Sequence, residues 1–144
     1  MLCIDNKVFS EAARAVLKDK FPEIENLSDS QHRALFNFIN GKVVLAILPI
    51  GSGKSLIFQM APAIIDFLRT KEYSVQEKPI LLVICPLNSL IDSHVHELRQ
   101  RGFRASVITS KDDEKAILNG ESTFVFCNPE FVGVVKADIR NSFT

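Results

Sequence analysis

Lys54 and Ser55 follow two closely spaced glycines in the run Leu48-Pro49-Ile50-Gly51-Ser52-Gly53-Lys54-Ser55. These residue types at this spacing suit an anion with many oxygens. Glycines let successive backbone N–H groups turn inward around it. A helix starting at Lys54 adds partial positive charge at its N-terminus. The Lys54 ammonium would reach the β- and γ-phosphates of a nucleoside triphosphate, which makes Lys54 the catalytic candidate. The Ser55 hydroxyl would ligate Mg2+ through the bound ATP. Ile50, Gly51, Ser52 and Gly53 complete the cradle. The pattern Gly-x-x-x-x-Gly-Lys-Ser fails at its first position, where Leu48 stands for Gly. The bland alternative is an ordinary Gly-rich turn, but the apolar segments on either side favour a nucleotide site.

Such a loop works only between a strand and a helix. Val43 to Leu48 is a continuous β-rich apolar run and predicts a strand buried on both faces. Lys54 to Leu68 predicts a long apolar helix, kinked at Pro62. Ahead of the loop, Val8, Phe9, Ala12, Ala13, Val16 and Leu17 predict one amphipathic helix over Asn6 to Lys20. A second follows from Ser28 and is closed by Gly41. Beyond the loop, the pattern predicts strands at Ile80 to Cys85, Ala105 to Ile108 and Thr123 to Cys127. Helices are predicted at Ser89 to Arg101, at Lys111 to Asn119 and from Pro129 onward. Strands alternating with helices imply a parallel sheet with flanking helices, an α/β fold preceded by two N-terminal helices. The division expected is 1–41 for the helices and 42–144 for the sheet.

Other residues could add chemistry. Gln31 stands third after Ser28 and completes a capping box. Its amide can also donate and accept at once, which suits the N6/N7 edge of adenine. Asn128 is a polar N-cap with Pro129 at N1. Arg99, Arg101 and Arg104 are either a solvated helix end or a basic cluster, with the two readings evenly weighed. His94 and His96 point about 200° apart on a helix and do not share a metal.

Composition narrows the class. The chain has 144 residues, with 17 basic and 17 acidic side chains and a net charge of zero. Its 47% apolar content supports a core and rules out a disordered chain. No apolar run approaches the roughly 18 residues of a membrane span. Cys3, Cys85 and Cys127 are too few for a disulfide framework or a structural metal site, so a reducing intracellular compartment fits. Zero net charge means that any nucleic-acid partner must be held by placed groups rather than by bulk charge.

The segment LPIGSGKSLIFQMAP is similar to the Walker A motif of RecQ-like helicases, a branch of the superfamily-two DNA helicases. Ile50 replaces the usual Thr, which removes a hydroxyl but leaves the backbone donors. Gln31 sits where that family has its adenine-reading glutamine. Val83 to Ile91, containing Cys85-Pro86-Leu87-Asn88-Ser89-Leu90, resembles motif Ia, with Cys85 in place of Ser. Asp92-Ser93-His94-Val95 stands where the family often has Lys-Asp-Gln-Val. Phe126-Cys127-Asn128-Pro129-Glu130 resembles motif Ib. The resemblance covers most of the chain and implies a P-loop NTPase, RecA-like sheet that binds ATP and Mg2+. It implies that Pro86, Leu87, Ser89, Asn128, Pro129 and Glu130 lie against the phosphates of one DNA strand. It also implies 3′-to-5′ strand separation by the whole enzyme and a nuclear location.

One family feature has no counterpart here. ATP hydrolysis needs an apolar strand ending in Asp-Glu, which positions Mg2+ and the attacking water. Ile64-Ile65-Asp66 is helical with a single acid, Lys136 interrupts the run before Asp138, and Asp112-Asp113-Glu114 lies on a polar segment. The expectation is therefore an incomplete RecA-like domain, cut before these acids, that binds ATP without turning it over. Two alternatives stay open: a non-catalytic nucleotide- or DNA-binding module, and a different P-loop enzyme such as a small nucleotide kinase. The Pro86 and Pro129 motifs argue against the kinase.

Overall fold

The computed structural model describes residues 3–71, 78–109 and 122–132. The chain divides into two compact units, Met1–Pro79 and Ile80–Thr144. The boundary expected near residue 41 falls inside the first unit, because the helix after the phosphate loop packs on the two helices before it.

The first unit is a three-helix assembly of α1 (Asn6–Lys20), α2 (Asp29–Ile39) and α3 (Lys54–Thr70). Asp5 caps α1 by accepting from the Val8 N–H, and Ser28 caps α2. The periodic apolar positions form the interior: Phe9, Ala12, Ala13, Val16 and Leu17 of α1 meet Leu35 and Ile39 of α2 and Met60, Ile64 and Leu68 of α3, all buried. Phe9 sets its ring edge-on to Phe36 and to His32. The Ile4 N–H donates to Asn40 Oδ1 at 2.8 Å and pins the N-terminal segment to the end of α2. Gly41, at φ 81°, follows the Asn40 C-cap, as expected of a helix-closing glycine.

The strand predicted over Val43 to Leu48 does not form. This stretch makes no ladder, and Val43, Leu45 and Ile47 are exposed at 101%, 86% and 84%. The reason is partnership. A run that is apolar on both faces can be buried only between neighbouring strands, and the first unit holds no other strand among its described residues.

In the second unit, β1 (Leu81–Ile84), β2 (Ala105–Ile108) and β3 (Phe124–Cys127) form a wholly parallel sheet in the order β1-β3-β2. Helix α4 (Asn88–Gln100) connects β1 to β2 and leaves a gap one strand wide, which β3 fills. All four residues of β3 are buried, as a continuous apolar run requires. Ile91, Val95 and Leu98 of α4 are buried, and α4 packs against β2 and β3. Phe103 closes edge-on over Phe124 at 5.4 Å. Pro129–Phe131 is a short 3-10 turn that leads into helical backbone at Val132, where the described residues end. The helix expected over Lys111 to Asn119, the acids Asp112, Asp113, Glu114 and Asp138, and the chain beyond Val132 lie outside the described residues. No described helix is long and apolar enough to cross a membrane.

These packing differences give contrasting expectations. Leu35→Ala, which removes a side chain with no exposure, should cost about 2–5 kcal/mol in urea unfolding. Leu45→Ala, at 86% exposure, should stay within about 0.5 kcal/mol of the parent. Equal losses would place Leu45 in the interior.

Candidate functional site

The candidate chemistry lies on two sets of loops, one in each unit. In the first unit, α3 starts at Lys54 out of Gly53, which is left-handed at φ 78°, ψ 34°. Gly51 is left-handed too, at φ 83°. Between them the Ser52 N–H and hydroxyl both donate to the Pro49 carbonyl, at 3.2 and 2.6 Å. This closes a tight turn whose two glycines take conformations that side chains resist. The Ser52 hydroxyl is thereby used inside the loop.

The Gly53 carbonyl is the fixed point of this loop. It accepts from the Leu56 N–H at 3.2 Å and from Gln31 Nε2 at 3.0 Å. Gln31 is 7% exposed and uses its other amide atom locally. The Ser28 N–H donates to Gln31 Oε1 at 2.9 Å, while the Gln31 N–H donates to Ser28 Oγ at 3.2 Å. The expected capping box is therefore present, and the same side chain crosses to the phosphate loop. A Cβ on Gly53 would sit 2.5 Å from Gln31 Nε2, whereas one on Gly51 would meet nothing within 4 Å. Gly53 is needed for close approach as well as for its backbone angle.

This loop fits a polyphosphate. Lys54 is exposed, and the first turn of α3 carries no acid. Helix geometry leaves the leading N–H groups of α3 without carbonyl partners inside the helix. Ser55 is half-buried one residue on, and Ile50 is 98% exposed. Mg2+ held by Ser55 would lean on phosphate oxygens and water, since no group of three His, Cys, Asp or Glu gathers among the described residues.

In the second unit, parallel register pairs Ile84 with Cys127 and brings the ends of β1 and β3 to one edge of the sheet. The Cys85 N–H donates to the Cys127 carbonyl at 3.0 Å. Pro86 and Leu87 are exposed, and Leu87 provides no side-chain cap for α4. The helix starts at Asn88, one residue before the expected Ser89, which is exposed in the first turn. Asn128 corrects an expectation: it stands at the N-cap position before Pro129 but makes no capping bond. Its Nδ2 instead donates to Asn88 Oδ1 at 2.9 Å. Glu130 is exposed in the first turn after Pro129.

The arginine cluster lies elsewhere. Arg104 precedes β2 while Pro86 follows β1, so parallel strands put them at opposite edges of the sheet. The Arg99 guanidinium donates twice to the Ala105 carbonyl, at 3.2 and 2.9 Å, and Arg101 lies 3.5 Å from Glu97. Arg99 and Arg101 thus brace the turn from α4 into β2. His94 stacks on Phe126 at 6.1 Å, while His96 is exposed. Burial pushes the Cys127 thiol up from its ordinary range, which keeps it protonated and unreactive at neutral pH.

The sequence reading missed two of these contacts. Asn88 carried no signal beyond being a polar residue at a helix start, and its partner lies 40 residues away. The Gln31 contact to Gly53 spans 22 residues. Its only sequence hint is a glutamine at the third helix position upstream of a Gly-Lys-Ser string.

Residues 28–141 match the DEAD/DEAH box helicase family. Over 135 residues the chain is 30% identical to a Caenorhabditis briggsae protein assigned as an ATP-dependent DNA helicase Q1, covering 88% of this chain and 20% of the relative. It is 28% identical over 110 residues to the ATP-dependent helicase SGS1 of Saccharomyces cerevisiae, covering 72% of this chain and 7% of that protein. Against the ATP-dependent DNA helicase RecQ of Haemophilus influenzae the figure is 26% over 127 residues, covering 83% of this chain and 18% of that protein. The chain therefore spans about a fifth or less of the length of these relatives.

The loop geometry sets a stability order. Gly51→Ala should cost about 1–2 kcal/mol, the strain of a left-handed alanine. Gly53→Ala should cost more, because its Cβ also displaces the Gln31 amide. Denaturant unfolding of the two variants compares them directly, and the reverse order would contradict the contact.

Proposed function

The chain belongs to the DEAD/DEAH box helicase family, and from that membership we propose that it is an ATP-binding portion of a RecQ-like DNA helicase. The single observation that carries this reading is the loop from Pro49 to Ser55, whose left-handed Gly53 is held by Gln31 and whose Lys54 is exposed. Lys54 would pair with the β- and γ-phosphates of ATP. The backbone N–H groups after Ile50 and Gly51 would line the phosphates, and Ser55 would hold Mg2+. Bound Mg2+ supplies charge neutralisation to the triphosphate.

Gln31 has chemistry to spare for adenine. One amide proton and one oxygen lone pair are used by Gly53 and Ser28, which leaves one of each for a purine edge. Its role as adenine reader is thus compatible with its role as loop holder. In the second unit, Pro86, Leu87 and Ser89 with Asn128, Pro129 and Glu130 would line a path for the phosphates of one DNA strand. Contacts of that kind carry little sequence preference. In a longer enzyme these sites would couple ATP hydrolysis to 3′-to-5′ strand separation, an activity located in the nucleus of a eukaryotic cell.

A non-catalytic nucleotide- or DNA-binding module is the second reading. The absence from this sequence of any apolar strand ending in Asp-Glu favours it. Both readings expect the 144-residue chain to bind ATP without hydrolysing it.

Titration calorimetry with Mg-ATP tests the site. The parent chain should bind, and Lys54→Ala should weaken binding by at least about tenfold, the loss of one charge-assisted contact. Unchanged affinity in Lys54→Ala would remove the phosphate-loop assignment. Steady phosphate release stimulated by single-stranded DNA would show that the catalytic acids lie within this chain after all.

A further inference from the structure

Two loops leave the same edge of the sheet, one after β1 and one after β3. Register alone fixes them only as far as the Cys85 N–H bond to the Cys127 carbonyl, at 3.0 Å. Beyond that bond, Pro86 and Leu87 are exposed, α4 starts without a side-chain cap, and Pro129 has no N–H to give. The next connection between the loops is the amide pair, Asn128 Nδ2 to Asn88 Oδ1 at 2.9 Å.

That pair is chosen over a local alternative. Asn128 occupies an N-cap position with extended backbone, φ −74° and ψ 156°, where an asparagine side chain ordinarily accepts from the N–H groups of the following turn. Here it makes no such bond, and its Oδ1 is buried without a partner. A buried acceptor left unsatisfied is unfavourable, so the side chain has traded a cap for a bond across the gap. The Asn88 side chain sits at the first position of α4 and spends its oxygen on that bond. The two loops then hold one spacing instead of two independent ones.

We propose that Asn88 is a positioning residue: by accepting from Asn128 it clasps the loop before α4 to the loop after β3, so that both meet a DNA strand as one preformed edge. This rests on the reading of those loops as DNA-phosphate contacts. Preformed loops lose less conformational freedom on binding than separate ones. The clasp raises affinity without touching DNA charge, and it acts equally on any base sequence.

A double-mutant cycle tests it. Asn88→Ala, Asn128→Ala and the double variant are titrated against a fluorescent oligothymidylate at several salt concentrations. Each single change should weaken binding about three- to tenfold, the range of one neutral hydrogen bond. The double variant should be no weaker than the weaker single, since both remove the same clasp. The salt slope should stay unchanged, because no cation is lost. Parent-like binding by Asn88→Ala, or losses that add, would overturn the clasp.

If the parent chain itself does not bind the oligonucleotide, the DNA reading falls and the clasp is judged without it. The Asn128 side-chain amide protons should be shifted and slow to exchange in the NMR spectrum of the parent, and should lose both signatures in Asn88→Ala. Identical Asn128 signals in the two proteins would overturn the proposal, and the remaining backbone signals show whether the variant is folded.

Discussion

The Gly53 carbonyl accepts two hydrogen bonds, from the start of its own helix and from the Gln31 amide, and the phosphate loop depends on that oxygen. One bond winds the first turn of α3. The other comes from α2, a helix that enters the loop nowhere else among the described hydrogen bonds. Because Gln31 also closes the capping box of α2, the N-termini of α2 and α3 share a side chain. The loop's left-handed glycines are unfavourable for most residues, and that strain is held by packing: α3 lies against both α1 and α2 over a shared apolar interior. The nucleotide chemistry proposed at Lys54 and Ser55 would thus rest on α1, which carries none of it, and on α2, which brings Gln31 to the loop.

The second unit uses a different constraint. A parallel sheet sends every strand end to the same edge, so β1 and β3 deliver their following loops side by side without long side chains or bulk charge. A chain with zero net charge could address the proposed DNA strand in this way. The same geometry separates the arginines from that edge. Arg99, Arg101 and Arg104 sit where α4 ends and β2 begins, about a helix length from Asn88.

Much of this was legible beforehand, and the exceptions share a cause. Helices α1, α2 and α4 follow from apolar spacing, helped at α2 by its capping box, and both signals are local. The buried β3 follows from an unbroken apolar run between polar ends. Val43 to Leu48 shows the same kind of run and forms no ladder, because an apolar pattern specifies burial but not the neighbour that provides it. Gln31 was half legible: its bond to Ser28 lies within one turn, while its bond to Gly53 depends on how helices pack. Asn128 illustrates the same division. Its backbone is that of an N-cap, as its neighbours in sequence imply, while its side chain answers to a residue 40 positions away.

The claim that Gln31 holds the phosphate loop is tested most directly by amide hydrogen exchange on the chain without nucleotide, comparing the parent with Gln31→Glu. Glutamate keeps an acceptor for the Ser28 N–H, so the capping box survives, but it has no proton for the Gly53 carbonyl. Protection at Leu56 and the first turn of α3 should fall severalfold in Gln31→Glu while the amides of α2 remain as in the parent. Unchanged protection at Leu56, with α2 intact, would contradict it.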